Sequence, residues 1–125
     1  MKKLTPILLV DAIEPVVSFW TDRLGFVKTA EVPEGDRLGF VILSRDNVEV
    51  MYQTRAGLAH DVPALLDTPA RGTILFIEVE DIAAIEEALR GVEIVVPRRQ
   101  TFYGADELFV REPGGHVVGF AQMGV

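Results

Sequence analysis

The chain has 125 residues, 49% hydrophobic and 25% charged, which is typical of one folded domain and excludes a disordered protein. Its formal net charge of −7 argues against binding to nucleic acid phosphates. The absence of cysteine excludes disulfides, thiolate metal sites and cysteine nucleophiles. The first apolar run, residues 7–10, is too short for a signal sequence or a membrane span. We therefore expect a cytoplasmic protein that binds neither nucleic acid nor membranes.

The first half of the sequence predicts a strand, a helix and three further strands. Residues 4–10 are mostly apolar and predict the first strand. The helix covers residues 13–24, with Pro15 in its first turn and Gly25 at its end. The three remaining strands are expected at residues 26–32, 38–44 and 48–54, with a turn at residues 33–36 between the first two.

The same order of elements returns after residues 55–71, an irregular segment that predicts a linker with one helical turn. A strand over residues 72–79 precedes a helix for which Asp81 is the expected N-cap and Gly91 the end. Three strands then follow, at residues 93–96, where Pro97 interrupts the strand, 105–111 and 116–123. The two halves are offset by about seventy residues, which indicates a structural repeat.

This repeat predicts an α+β fold made of two paired βαβββ modules in one domain over residues 1–125. The first module covers about residues 1–55, the linker residues 56–71 and the second module about residues 72–125. Because one helix covers only one face of each sheet, the other faces are expected to enclose a concave cup.

Two stretches of sequence resemble the vicinal oxygen chelate superfamily, which contains glyoxalase I, extradiol dioxygenases, and the fosfomycin and bleomycin resistance proteins. They are residues 4–26, which end in F-W-T-D-R-L-G-F, and residues 103–120, which contain E-L-F-V-R-E-P-G-G. The first motif and Pro6 are most similar to bleomycin resistance proteins. That resemblance implies a metal-free homodimer that sequesters an antibiotic in two clefts at its interface.

Catalytic members of this superfamily hold a divalent metal with four side chains. By the resemblance, these positions fall on Thr5, Glu49, Ile74 and Gly119. Only Glu49 has a side chain that commonly ligates a metal, and one carboxylate does not hold a transition metal against water. We therefore expect neither a metal nor another cofactor.

The alternation of side chains along strands predicts which residues line the cup. They form a mainly apolar set with a few charged groups, as is usual for a small-molecule site. The expected ligand-binding residues are Thr5, Ile7, Met51, Gln53, Ile74, Phe76, Tyr103, Glu107, Phe109 and Arg111. In the alternative interpretation, Met51, Phe76 and Phe109 only fill a core between the sheets.

Tyr103 matches the aromatic residue that, in bleomycin resistance proteins, stacks on the planar part of the drug. An aromatic ring beside an acidic cup suits a planar, cationic ligand. Alternatively, Tyr103 is a loop aromatic that seals the dimer interface or the core. The neighbouring Arg98 and Arg99 instead favour an anionic substrate.

We expect a metal-independent small-molecule-binding protein, of the kind associated with antibiotic resistance. The alternative is a lyase or isomerase that uses Glu49, with or without a divalent metal. In that case Glu49 is a catalytic general base, with its pKa raised by an apolar cup. A dimeric regulatory or structural module without a ligand is a third possibility.

Overall fold

The computed structural model describes residues 1–69 and 72–124. The chain divides into two compact units, Met1–Gly72 and Thr73–Val125. Each unit contains one four-stranded sheet and the helices that accompany it. The predicted α+β fold with two successive βαβββ modules is therefore confirmed.

The first unit contains a sheet in which the two outer strands are β1 and β2. Its strand order is β1-β4-β3-β2, with β1 parallel to β4 and the other pairs antiparallel. Its elements are β1 (Ile7–Val10), α1 (Glu14–Ser18), which continues as a π-helix (Phe19–Arg23), β2 (Val27–Glu34), β3 (Arg37–Arg45), β4 (Val48–Thr54), α2 (Arg55–Asp61) and a 3₁₀-helix (Pro63–Asp67).

The core of this unit follows from alternation along β4. Val50 and Tyr52 are buried, whereas Met51 and Gln53 on the opposite face are half-buried. The buried Trp20 donates a hydrogen bond from Nε1 to the Tyr52 hydroxyl at 2.9 Å. The helical segment is thus fixed against one face of the sheet, which leaves the other face for the candidate site.

The second unit repeats this topology with the strand order β5-β8-β7-β6. The first pair, β5 with β8, is parallel and the other two are antiparallel. Its elements are β5 (Ile74–Glu78), α3 (Ile82–Ala88), β6 (Glu93–Gln100), β7 (Ala105–Arg111) and β8 (Val117–Met123). The expected N-cap is confirmed, because Asp81 accepts a hydrogen bond at Oδ1 from the Ala84 amide at 3.1 Å.

Three sequence expectations need correction. The segment predicted as irregular contains α2 and the 3₁₀-helix, because Thr54 caps α2 by accepting a hydrogen bond from the Gly57 amide; residues 70 and 71 of that segment lie outside the described residues. The predicted helix over residues 13–24 changes to π-helical geometry at Phe19. Strands β2 and β6 continue through Pro33 and Pro97, since both are edge strands, where a missing amide is tolerated.

Candidate functional site

The helix-free face of the first sheet carries all five site residues predicted in this unit. Ile7 pairs with Met51, and Leu9 with Gln53, across the parallel strands β1 and β4. Thr5 precedes β1 and reaches Glu49 on β4. Ile7 is 53% exposed and the other four are half-buried. The structure therefore brings Thr5, Ile7, Glu49, Met51 and Gln53 together on one accessible surface.

Glu49 is held by three polar side chains. Its Oε1 accepts a hydrogen bond from the Thr5 hydroxyl at 3.0 Å and lies 2.9 Å from the Lys3 ammonium. Its Oε2 accepts a longer hydrogen bond, 3.4 Å, from the Ser44 hydroxyl. Both carboxylate oxygens are thus engaged within the unit.

These contacts contradict the expected titration of Glu49. The hydrogen bonds from Lys3 and Thr5 lower the pKa of the Glu49 carboxyl below its ordinary value, and they outweigh the opposing effect of burial. The expectation of a raised pKa is therefore wrong. A carboxylate with a lowered pKa is a weaker general base, so the geometry gives less support to acid–base catalysis by Glu49.

Sequence reasoning missed Lys3 and Ser44 as partners of Glu49. Lys3 lies two residues before Thr5, so in an extended chain both side chains point to the same side. That spacing was a usable signal for Lys3. Ser44 required the pairing of Ser44 with Glu49 across β3 and β4, which the sequence does not specify.

In the second unit, three residues form a row across neighbouring strands. Phe76 on β5 pairs with Gly119 on β8, which in turn pairs with Phe109 on β7. The two phenyl rings are 6.2 Å apart between centroids, with an interplanar angle of 44°. Phe76 is 51% exposed, and Ile74, two residues before it on the same face, is 61% exposed. This surface is apolar and aromatic.

Gly119 has a specific steric role in this row. A Cβ atom at position 119 would lie 2.3 Å from Cε2 of Phe109, so a side chain there requires the ring to move. The aromatic ring therefore occupies the space that a ligating side chain would need. We call Phe76, Gly119 and Phe109 the aromatic row.

The four positions that the resemblance assigns to metal ligands carry side chains that do not fit a metal ion. Thr5 and Glu49 contact each other, but Thr5 is a poor neutral donor and Lys3 neutralises the carboxylate. Ile74 and Gly119 provide no donor atom, and Phe109 fills the space next to Gly119. Within residues 1–69 and 72–124, no three His, Asp or Glu side chains are grouped so that they could hold a metal ion.

Both arginines on β6 form ion pairs with carboxylates of β7. Arg98 binds both oxygens of Asp106, at 3.0 and 2.9 Å, and also contacts Glu86 at 3.3 Å. The nearby guanidinium lowers the pKa of Asp106 below its usual value. Arg99 donates two hydrogen bonds to Oε2 of Glu107, at 2.9 and 3.2 Å. Because both charges are matched internally, the structure does not favour an anionic ligand here.

The remaining predicted residues differ in accessibility. Tyr103 is 46% exposed and its hydroxyl donates a hydrogen bond to Oε1 of Glu107. Glu107 itself is buried, with 1% exposure, so it does not line an open surface as expected. Arg111 is exposed at the other end of β7 and pairs with Glu93 at 3.0 Å. Of the predicted set in this unit, Tyr103 and Glu107 are in direct contact, and Arg111 is not part of that contact.

Comparison with known proteins gives one family and many structural neighbours. Residues 4–120 match the family model described as Glyoxalase/Bleomycin resistance protein/Dioxygenase superfamily. A search of individual curated proteins gives no match. None of the helices within the described residues has the length and apolar character that crossing a bilayer requires.

Three solved structures illustrate the similarity. A bleomycin-binding protein from Streptomyces verticillus, complexed with copper(II)-bleomycin, is 27% identical, with a TM-score of 0.64 over 100% of this chain and 98% of that chain. TioX from Micromonospora sp. ML1 is 18% identical, with a TM-score of 0.74 over 98% and 99%. A glyoxalase/bleomycin resistance protein/dioxygenase family enzyme from Burkholderia phytofirmans PsJN is 12% identical, with a TM-score of 0.76 over 95% and 96%. The last two similarities concern the fold alone.

Proposed function

The chain belongs to the glyoxalase/bleomycin resistance protein/dioxygenase superfamily, and from this premise we propose that it binds and sequesters a planar or cationic, antibiotic-like small molecule without a protein-bound metal. The aromatic row carries this proposal. At a position where catalytic relatives place a carboxylate, this chain places Gly119 under the ring of Phe109. A flat apolar surface suits contact with a planar molecule better than coordination of a substrate through a metal.

The polar groups support a ligand that is neutral or cationic. Arg98 and Arg99 are matched by Asp106 and Glu107, and the chain carries a formal net charge of −7. An acidic protein attracts cations over several ångströms. Tyr103 adds a partly exposed ring, for which the resemblance to bleomycin resistance proteins implies a stacking role. The bleomycin-binding relative, similar over its whole length, supports the same class of ligand.

The proposal includes a homodimer, as the family resemblance implies. The measurement is sedimentation velocity at several protein concentrations, where a stable dimer keeps its sedimentation coefficient on dilution. A monomer at micromolar concentration would remove this part of the proposal and leave ligand binding to be judged separately.

The central experiment is a calorimetric titration of metal-stripped protein with metal-free bleomycin. We expect saturable binding of about one ligand per chain, and a loss of about tenfold in affinity in Tyr103→Ala. Val32→Ala, which also shortens an exposed apolar side chain, is the matched control and should bind like the natural protein. Absence of heat at high drug concentration would overturn the antibiotic proposal.

The enzymatic alternative is tested in the same samples. If the protein only sequesters the drug, mass spectrometry recovers the drug unchanged after prolonged incubation with an excess. Turnover that disappears in Glu49→Gln, with binding retained, would instead favour catalysis by Glu49.

A further inference from the structure

Two aromatic side chains are exposed on the short loop between β6 and β7. Phe102 is 99% exposed and Tyr103 is 46% exposed. Their ring centroids are 5.2 Å apart and the rings are perpendicular. Large apolar side chains in such a position lose contact with water only when something binds to them. We call residues 101–104 the aromatic hairpin loop.

The backbone of this loop is well fixed despite its exposure. The Thr101 amide donates to the Ala105 carbonyl at 2.8 Å, and the Thr101 hydroxyl accepts from the Ala105 amide at 3.0 Å. Gly104 has φ of +83°, a left-handed conformation that glycine adopts without steric cost. Its carbonyl accepts a hydrogen bond from the Gly124 amide at 2.9 Å. The loop therefore presents its rings from a defined position.

A buried carboxylate holds one of the two rings. Glu107 is 1% exposed, and its Oε1 accepts the hydrogen bond from the Tyr103 hydroxyl. Its other oxygen is bound by Arg99, whose side chain is half-exposed. A buried polar group requires such partners, and the bonds from Arg99 and Tyr103 occupy both oxygens of the Glu107 carboxyl group. Glu107 thereby fixes the far end of the Tyr103 side chain.

We propose that Glu107 is a positioning residue, which acts through Tyr103 to hold a two-ring binding subsite formed with Phe102. The subsite takes a flat, unsaturated ring system, neutral or cationic, that stacks on one ring and meets the edge of the other. This inference rests on the proposed function and adds Phe102 and Glu107 to it.

Two physical reasons support this assignment. A ring whose hydroxyl is tethered has little rotational freedom left to lose, so binding costs less entropy than on a free side chain. Glu107, which holds Tyr103, is itself paired with Arg99, and the chain carries a formal net charge of −7, which favours a cationic ring over an anionic one.

Binding of metal-free bleomycin to single and double variants tests the coupling. We expect Tyr103→Phe and Glu107→Gln each to weaken binding by about fourfold, less than the loss of about tenfold expected for Tyr103→Ala, and the double variant to bind no more weakly than either. Phe102→Ala should weaken binding by about tenfold. Ile94→Ala, at an exposed apolar position on β6, is the control and should change affinity less than twofold. Additive losses from Tyr103→Phe and Glu107→Gln would overturn the positioning role.

A second measurement needs no ligand. The chain contains two tyrosines, so Tyr103→Phe leaves Tyr52 alone, and subtracting its ultraviolet absorbance titration isolates Tyr103. The hydrogen bond to Glu107 raises the pKa of Tyr103 above its ordinary value. We expect its titration midpoint to fall in Glu107→Gln, and an unchanged midpoint would overturn the tether.

The outcomes separate this inference from the proposed function. If the natural protein gives no heat with bleomycin, the proposed antibiotic binding fails, and the tyrosine titration still decides whether Glu107 holds Tyr103. If bleomycin binds and Phe102→Ala alters only the sedimentation coefficient, Phe102 contacts a second copy of the chain and the two-ring subsite is wrong.

Discussion

The two units share one topology but differ in the chemistry of equivalent sheet positions. In the first unit Thr5 donates a hydrogen bond to Glu49, and Lys3 forms an ion pair with the same carboxylate. In the second unit the resemblance assigns the equivalent positions to Ile74 and Gly119, but Gly119 pairs with Phe76 rather than with Ile74, and the ring of Phe109 covers the glycine. Strand alternation determines which positions face away from the helices, and it leaves the chemistry of those positions open.

The units also differ in the burial and the bonding partners of one carboxylate each, Glu49 in the first unit and Glu107 in the second. Glu49 has a 20% exposed side chain and a largely exposed lysine as its cation. Glu107 is almost fully buried and is held by a two-pronged guanidinium and a phenol. Water screens the ion pair between Lys3 and Glu49, whereas the carboxylate of Glu107 is shielded from water. The second arrangement should therefore matter far more for stability, which the following variants examine.

The largest effect is expected from Arg99→Met. It leaves the buried Glu107 carboxylate without its cation, and we expect a loss of about 2–4 kcal/mol in the free energy of unfolding. Urea unfolding at pH 7 measures it. Arg111→Met is the matched control, because its partner Glu93 is exposed, and it should cost less than about 1 kcal/mol. Equal losses of stability in Arg99→Met and Arg111→Met would show that burial of Glu107 does not make its ion pair more stabilising.

Gly119→Ala should have the next largest effect. The added methyl group meets the Phe109 ring, and overpacking of this kind costs about 1–3 kcal/mol. Phe109→Ala removes all three ring atoms that would meet the added methyl group, so Gly119→Ala should cost much less in that background. Thermal and urea unfolding of the four proteins in this cycle measure the coupling. The same cost in both backgrounds would contradict the steric role of Gly119.

Lys3→Met is expected to cost less than Arg99→Met, and its cost should shrink in high salt. Because the pKa of Glu49 is lowered in the folded protein, this carboxylate contributes stability above its ordinary pKa of 4.5. That contribution is lost as the pH falls through the lower folded pKa. The difference between the natural protein and Lys3→Met should therefore be present at pH 7 and absent at about pH 2. If the stability difference between the natural protein and Lys3→Met does not change with pH, it does not arise from the ion pair with Glu49.

The smallest effect concerns Tyr103 at alkaline pH. Its pKa is raised by the hydrogen bond to Glu107, so its contribution to stability is complete below about pH 10 and is lost as the pH rises through the folded pKa. The stability advantage of the natural protein over Tyr103→Phe should decrease across that range. Urea midpoints for both proteins at pH 8 and in the alkaline range measure this decrease, and a constant difference would argue against the tether.

The parts of the fold that were predicted correctly depend on short sequence patterns, such as strand alternation and helix capping. The alternation along β4 predicted the buried Val50 and Tyr52, and the N-cap at Asp81 was readable from one polar residue before a helix. The continuation of β6 through Pro97 was not readable, because it depends on β6 being an edge strand. The π-helix after Ser18 was also missed, because the apolar spacing predicted a single helix over residues 13–24.

The features of the candidate site also fall into two groups, those that follow from the sequence and those that depend on the fold. The repeated order of elements and the family follow from the amino-acid sequence alone, because they depend on residue identity and on the spacing of apolar residues along the chain. The folded chain was needed to show that Lys3 lowers the pKa of Glu49, that Phe109 covers Gly119, and that the buried Glu107 bonds to Tyr103. Charge pairing and burial depend on strand register and on segments far apart in the chain, and neither is encoded in a local pattern.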